Sequence, residues 1–211
     1  MVGRKLRALG IGFICLLFLV ACGSQRSSGA DSTKKGLKIV TSFYPVYSLV
    51  KEISGDRNEV WMVQSGAGIH DYEPSAKETV QIYDSDVFVF HSHTLESWAG
   101  RLDPSLQDSK LRVIEASKGM ELDKVAGLED IEDTAGKDAK NLYDPHTWMD
   151  PLKIAEEGKI IAQELGDIDP ENRSYYEANA QKLEKRCEAL VAKYQPLFEK
   201  ATQKTFVTQH T

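Results

Sequence analysis

A chain of 211 residues, 41% hydrophobic and 27% charged, fits one ordinary folded domain or a domain and part of a second. The net charge is −6, and the first segment is basic; setting aside its Arg4, Lys5 and Arg7 leaves 23 basic residues against 32 acidic ones. An acidic surface of that kind argues against nucleic acid or an anionic membrane surface as the main partner.

In chain order, Arg4, Lys5 and Arg7 precede an apolar run from Ala8 to Ala21 that contains no acidic residue. That is the layout of a signal segment, too short for a mature membrane span. Leu19-Val20-Ala21-Cys22 resembles a bacterial lipobox, in which Cys22 is lipidated and becomes the first mature residue, with residues 1–21 as the signal peptide. Residues 22–36, rich in Ser, Gly and charge, read as a tether that holds a folded domain off the outer face of the cell membrane. Cys15 leaves with the signal, so Cys187 stays as a free thiol and no disulfide framework forms within one mature chain.

From Leu37 onward, short apolar strands alternate with helical segments. Leu37–Thr41 is a first strand, Pro45–Ile53 has helical spacing, and Val60–Val63 is a second strand leading to Gly66-Ala67-Gly68. Pro74–Tyr83 reads as a helix, Asp86–Phe90 as a buried strand ending at His91, and Leu111–Ile114 as a fourth strand. Alternation of this kind predicts an α/β fold with a largely parallel sheet covered on both faces. Glu121–Asp138 carries seven acidic residues and two lysines. It reads as a solvated loop, with an acidic flap that concentrates cations as a second reading. Asp150-Pro151 caps a helix that Gly166 closes, with Ile154, Ile161 and Leu165 on one face. Asp169-Pro170 opens a long helix reaching about Thr202, on the order of 50 Å, with Pro196 near its end. Its apolar positions are Leu183, Cys187, Leu190, Val191, Tyr194 and Phe198, and Cys187 reads as a small buried hydrophobe. Phe206-Val207 then begins another strand.

His70, His146 and His210 each follow a strand or precede a helix, and they are separated by 76 and 64 residues. Ligands of parallel α/β sheets bind at that edge, and three converging neutral imidazoles suit a borderline ion such as zinc. His91-Ser92-His93 has the spacing of an H-x-H pair but is better read as hydrogen-bonded loop histidines, with Glu96 and Trp98 on a following helix. Asp71 and Glu73 either orient the imidazole of His70 or cap the helix at Pro74. Trp148 reads as packing beside the site.

IVTSFYPVY (39–47), GIHDYEPSA (68–76), DPHTWMDP (144–151) and FVTQHT (206–211) together resemble the zinc-specific extracellular solute-binding lipoproteins of ABC importers. This is the cluster A-I, or ZnuA-like, family, and the likeness is strongest to its AdcA and laminin-binding (Lmb, AdcAII) types and runs through essentially the whole chain. Members have two α/β lobes joined by a long helix, with the metal between them. The resemblance implies Zn2+ as the transported ligand, held by His70, His146 and His210. It also implies residues 37–167 as an N-terminal metal-binding lobe, 168–203 as the linker helix, and 204–211 as the start of a second lobe. A histidine rather than a carboxylate at the third position agrees with zinc over manganese. Members continue for roughly another hundred residues that complete the second lobe and supply a fourth ligand, so the expectation here is a truncated two-lobe fold without that ligand.

The partners implied are an ABC permease and histidine-triad surface proteins, with no bond made or broken, and a monomeric chain. A laminin-binding surface adhesin is the alternative that the family suggests. A three-histidine metallohydrolase is the enzymatic reading; no H-E-x-x-H helix and no G-x-S-x-G elbow supports it.

Overall fold

The computed structural model describes residues 36–63, 68–69, 72–102, 110–125 and 142–205. The signal segment, Cys22 and its tether, His70, Asp71, most of the acidic segment, Phe206-Val207 and His210 lie outside the described residues. Four parallel strands form the sheet: β1 (Lys38–Thr41), β2 (Glu59–Met62), β3 (Val87–Phe90) and β4 (Arg112–Glu115), in the order β2-β1-β3-β4. Among the described residues four α-helices accompany them: α1 (Tyr44–Ser54), α2 (Ala76–Tyr83), α3 (Pro151–Ile168) and α4 (Arg173–Lys200). The expected α/β class with a parallel sheet is what the chain adopts.

Because strand side chains alternate, each central strand feeds two cores. Ile39, Val87 and Val89 join Val46, Val50, Ile53, Ile161, Leu165 and Tyr176, under α1, α3 and α4. Val40, Phe88 and Phe90 face the other way, onto Ile82, Tyr72, Trp98 and Leu111. All four β3 positions are buried, which explains an unbroken VFVF run instead of an apolar–polar alternation. Fully burying one such side chain contributes about 1.5–3 kcal/mol.

The helix ends follow local chemistry. Ser75 caps α2 through a reciprocal box with Glu78: Ser75 N–H donates to Glu78 Oε2 at 2.8 Å, and Glu78 N–H to Ser75 Oγ at 3.4 Å. The helix therefore begins at Ala76, not at Pro74, and Glu73 does not cap it. Its carboxylate instead accepts from Arg101 Nη2 at 2.5 Å. Asp150 caps α3, accepting from Leu152 N–H at 2.7 Å, with Pro151 at the first turn. Gly166 does not close α3, which continues to Ile168. The glycine lies inside the helix, where the Arg173 side chain sits 3.0 Å from where a Cβ would be. After α1, Gly55 has φ +53°, a left-handed conformation open to glycine at no steric cost. The predicted helix across Glu96 and Trp98 is instead a series of turns and a short 3₁₀ segment, Ala99–Arg101. Glu96 spends its carboxylate on backbone N–H groups of its own turn, which competes with helical bonding.

α4 is 28 residues, about 42 Å, and continues through Pro196 to Lys200. Tyr176, Ala180, Leu183 and Cys187 of this helix are buried, whereas from Glu188 to Lys200 every residue except Val191 is exposed. At its start, Tyr176 O–H donates to Asp169 Oδ2 at 2.8 Å and accepts from Asn58 Nδ2 at 2.9 Å, tying the helix to the loop before β2.

Candidate metal centre

In the order β2-β1-β3-β4 the chain leaves β1 toward one side and β3 toward the other, so the crevice at their carboxyl ends is the switch point where parallel sheets bind ligands. His91 is the first residue after β3, and its backbone is held at both ends. Its N–H donates to Glu96 Oε2 at 2.8 Å, and its carbonyl accepts from Ser117 N–H at 3.1 Å and Ser117 Oγ at 2.9 Å. The ring is 1% exposed and stands edge-on to Trp148, with centroids 5.0 Å apart.

His91 Nε2 lies 2.7 Å from the carbonyl oxygen of Pro145. A carbonyl only accepts, so this nitrogen carries the proton. The same N–H faces Thr147 Oγ1 at 3.3 Å, and the Thr147 hydroxyl in turn donates to Glu157 Oε1 from α3. His91 Nδ1 is 3.7 Å from Glu157 Oε1, too long for a hydrogen bond. Burial pushes the His91 pKa down to about 4, against the pull of its Pro145 bond, so the ring is neutral at pH 7. Burial likewise pushes Glu157 up to about 7, opposed by the Thr147 bond, and Glu96 up to about 7, opposed by its hydrogen bonds, two of them from backbone N–H groups.

Above this layer sits His146. Its Nδ1 is 2.6 Å from Asp144 Oδ1, and its backbone N–H donates to the same oxygen at 2.9 Å. An ionised carboxylate only accepts, so Nδ1 bears a proton, and in the neutral tautomer this leaves the lone pair on Nε2. This is the carboxylate–imidazole arrangement that fixes ring orientation and raises basicity in metal ligands. The ring is 15% exposed and packs against Trp148, centroids 5.1 Å apart. Trp148 thus touches both His91 and His146, the packing role expected of it.

Tyr72 is buried against Trp98, with ring centroids 5.9 Å apart, and burial pushes its hydroxyl pKa above the ordinary range. Ile69, next to His70 in sequence, packs against the core cluster that Trp148 also joins. Of the sequence-predicted ligands, His146 is described, whereas His70 and His210 lie outside the described residues. Among the described residues no three His, Cys, Asp or Glu side chains come together as a metal site. His91 and His93 do not act as a pair: the first is committed to Pro145, and His93 Nε2 is 3.8 Å from Glu115. Asp144, Thr147 and Glu157 are functional candidates that motif reading passed over. Asp144 was visible as a carboxylate two residues before His146. Glu157 was visible as an acid on the Ile154–Ile161 face of α3.

A parallel sheet that offers an oriented imidazole at its carboxyl edge defines a ligand-binding α/β lobe. The family described as "ZnuA: Zinc-uptake complex component A periplasmic" matches residues 39–211, and the chain belongs to this family of zinc-binding solute-binding proteins. The chain is 33% identical to the high-affinity zinc uptake system protein ZnuA of Bacillus subtilis, over 99% of this chain and 66% of that protein. It is also 33% identical to the zinc-binding lipoprotein AdcA of Streptococcus pneumoniae, over 96% of this chain and 40% of that one. Among solved structures, a Zn(II)-bound point variant of S. pneumoniae AdcAII superposes with a TM-score of 0.78 at 60% identity, over 84% of this chain and 64% of that one. The laminin-binding protein Lmb of Streptococcus agalactiae, described as a bifunctional protein with adhesin and metal transporting activity, gives 0.73 at 50% identity, over 84% and 62%. The chain therefore spans about two thirds or less of these relatives. They are binding and uptake proteins rather than enzymes, which removes the metallohydrolase reading.

Proposed function

We propose that this chain captures Zn2+ outside the cell and passes it to an ABC permease, with Cys22 as a lipid anchor and His70, His146 and His210 as imidazole ligands. The observation that carries the reading is the His146–Asp144 pair, a 2.6 Å contact that orients an imidazole in the loop before α3, beside Trp148 and the His91 that follows β3. Family membership supports zinc as the cargo, and the name of AdcA supports the lipid anchor. Ile69 and Tyr72, packed on either side of His70 in sequence, support a second ligand loop at the same sheet edge.

His146→Ala and His70→Ala should each weaken zinc binding by at least about tenfold, read by competition with a chromophoric chelator. Unchanged affinity in both would remove the site assignment. A second reading, adhesion to laminin, is favoured by the 50% identity to Lmb. Saturable binding to immobilised laminin, with and without chelator, tests it, and no saturable binding ends it.

A further inference from the structure

We infer that His91, Thr147 and Glu157 form a buried strut that sets the position of the His146 imidazole, making them positioning residues for the ion that His146 holds. The inference rests on the zinc-capture reading above; it adds His91 and Glu157, which lie outside the quoted motifs, and gives Thr147 of the DPHTWMDP stretch a role.

The strut starts from a fixed point. Glu96 and Ser117 hold both ends of the His91 peptide, and the ring is sealed between Phe43 and Trp148. From there a single N–H reaches both neighbours of His146: the Pro145 carbonyl at 2.7 Å and the Thr147 hydroxyl at 3.3 Å. The Pro145 carbonyl belongs to the peptide plane that joins Pro145 to His146, so the bond from His91 sets that plane's orientation. The Thr147 hydroxyl continues the chain of bonds to Glu157, which α3 carries on its buried face. Asp144 fixes the rotation of the His146 ring; the strut fixes the height and tilt of the backbone from which the ring projects.

A zinc–nitrogen bond tolerates about ±0.2 Å. A loop released from beneath would relax by more than that, because a freed peptide plane is a soft coordinate. A purely structural network would behave differently. Its loss would lower stability, yet the folded fraction would still bind the ion as before.

The test uses the full chain and four variants, measuring zinc affinity by chelator competition, the visible absorption of bound Co2+ as a report on ligand geometry, and metal-free thermal melts. His91→Leu and Thr147→Val should lower zinc affinity by about 10–100-fold and change the Co2+ spectrum while the protein remains folded. His91→Gln, whose amide N–H reaches the place of Nε2–H, should return affinity to within about threefold of the parent. His146→Ala serves as the control. If His91→Leu and Thr147→Val bind zinc as the parent does while His146→Ala has lost it, the strut is overturned and the capture reading stands. If His146→Ala also binds as the parent does, both fall together. Should His91→Leu not fold, Thr147→Val decides, since it exchanges a hydroxyl for a methyl of nearly equal size.

Discussion

Glu96 holds the chain at the end of β3 with one carboxylate oxygen, accepting N–H bonds from His91 at 2.8 Å and Ser92 at 2.9 Å, while its side chain is fully buried. Burial lifts its pKa from 4.5 to about 7, so between those values the folded state keeps a proton that the unfolded chain has released. Stability from this group is complete below pH 4.5 and declines as pH rises toward 7. His91 acts in the opposite sense: its lowered pKa costs stability as pH falls below about 6.5. Comparing Glu96→Gln with the parent largely cancels the His91 contribution. The difference in unfolding free energy should move toward the glutamine variant by on the order of 1–3 kcal/mol between pH 4.5 and 7.5, then level off. Urea titrations at pH 5 and pH 8 measure it, and an identical difference at both would refute the assignment. Nothing in the local sequence marks Glu96 as buried. Leu95 and Trp98 beside it are apolar and buried, but an acid between them reads as the solvent-facing position, and the N–H groups it satisfies belong to the strand end it curls back upon. His146 was legible because it sits in a compact motif. The strut beneath it was not, because His91, Thr147 and Glu157 lie up to 66 positions apart and meet only in the fold.

At the level of elements, β3 and α3 show what patterning can and cannot reveal. VFVF announces a strand buried on both faces, and Ile39, Val40 and Thr41 announce its neighbour. Strand ends read from sequence shift by one residue against the structure, because apolar runs do not mark where hydrogen bonding stops. Gly166 misleads for a different reason: glycine near a helix end suggests a cap, but here it makes room for Arg173. α4 divides into two halves of different packing. As far as Cys187 it lies against α1 and α3; beyond, Leu190, Tyr194, Leu197 and Phe198 are 39–71% exposed. Most helix stability in proteins comes from tertiary packing, and Pro196 also lacks an N–H to donate. Amide hydrogen exchange from Glu188 to Lys200 should be faster than from Tyr176 to Cys187 by at least about tenfold. Equal protection along the helix would contradict this account.

At the scale of the molecule, the described sheet, its two cores and the braced loop before α3 hold the His146 ring at the carboxyl edge of β3, beside Trp148 and His91. An ion that binds this folded edge more tightly than the unfolded chain must stabilise it by mass action. At free zinc near 100 times the dissociation constant the gain is about 2.7 kcal/mol, which for a chain of this size corresponds to a rise in Tm of roughly 5–11 °C. The unfolded chain also offers histidines and Cys187 to zinc, which reduces the shift without reversing it. The same chain should lose the gain on addition of a chelator, and His146→Ala should show little of it at the same zinc concentration. Magnesium, a hard cation that prefers oxygen ligands, should leave Tm unchanged, because a site built from imidazole offers it little. Differential scanning calorimetry of the parent and the His146→Ala variant separates these outcomes. An equal zinc-induced shift in both would mean that the stabilising site lies elsewhere on the molecule.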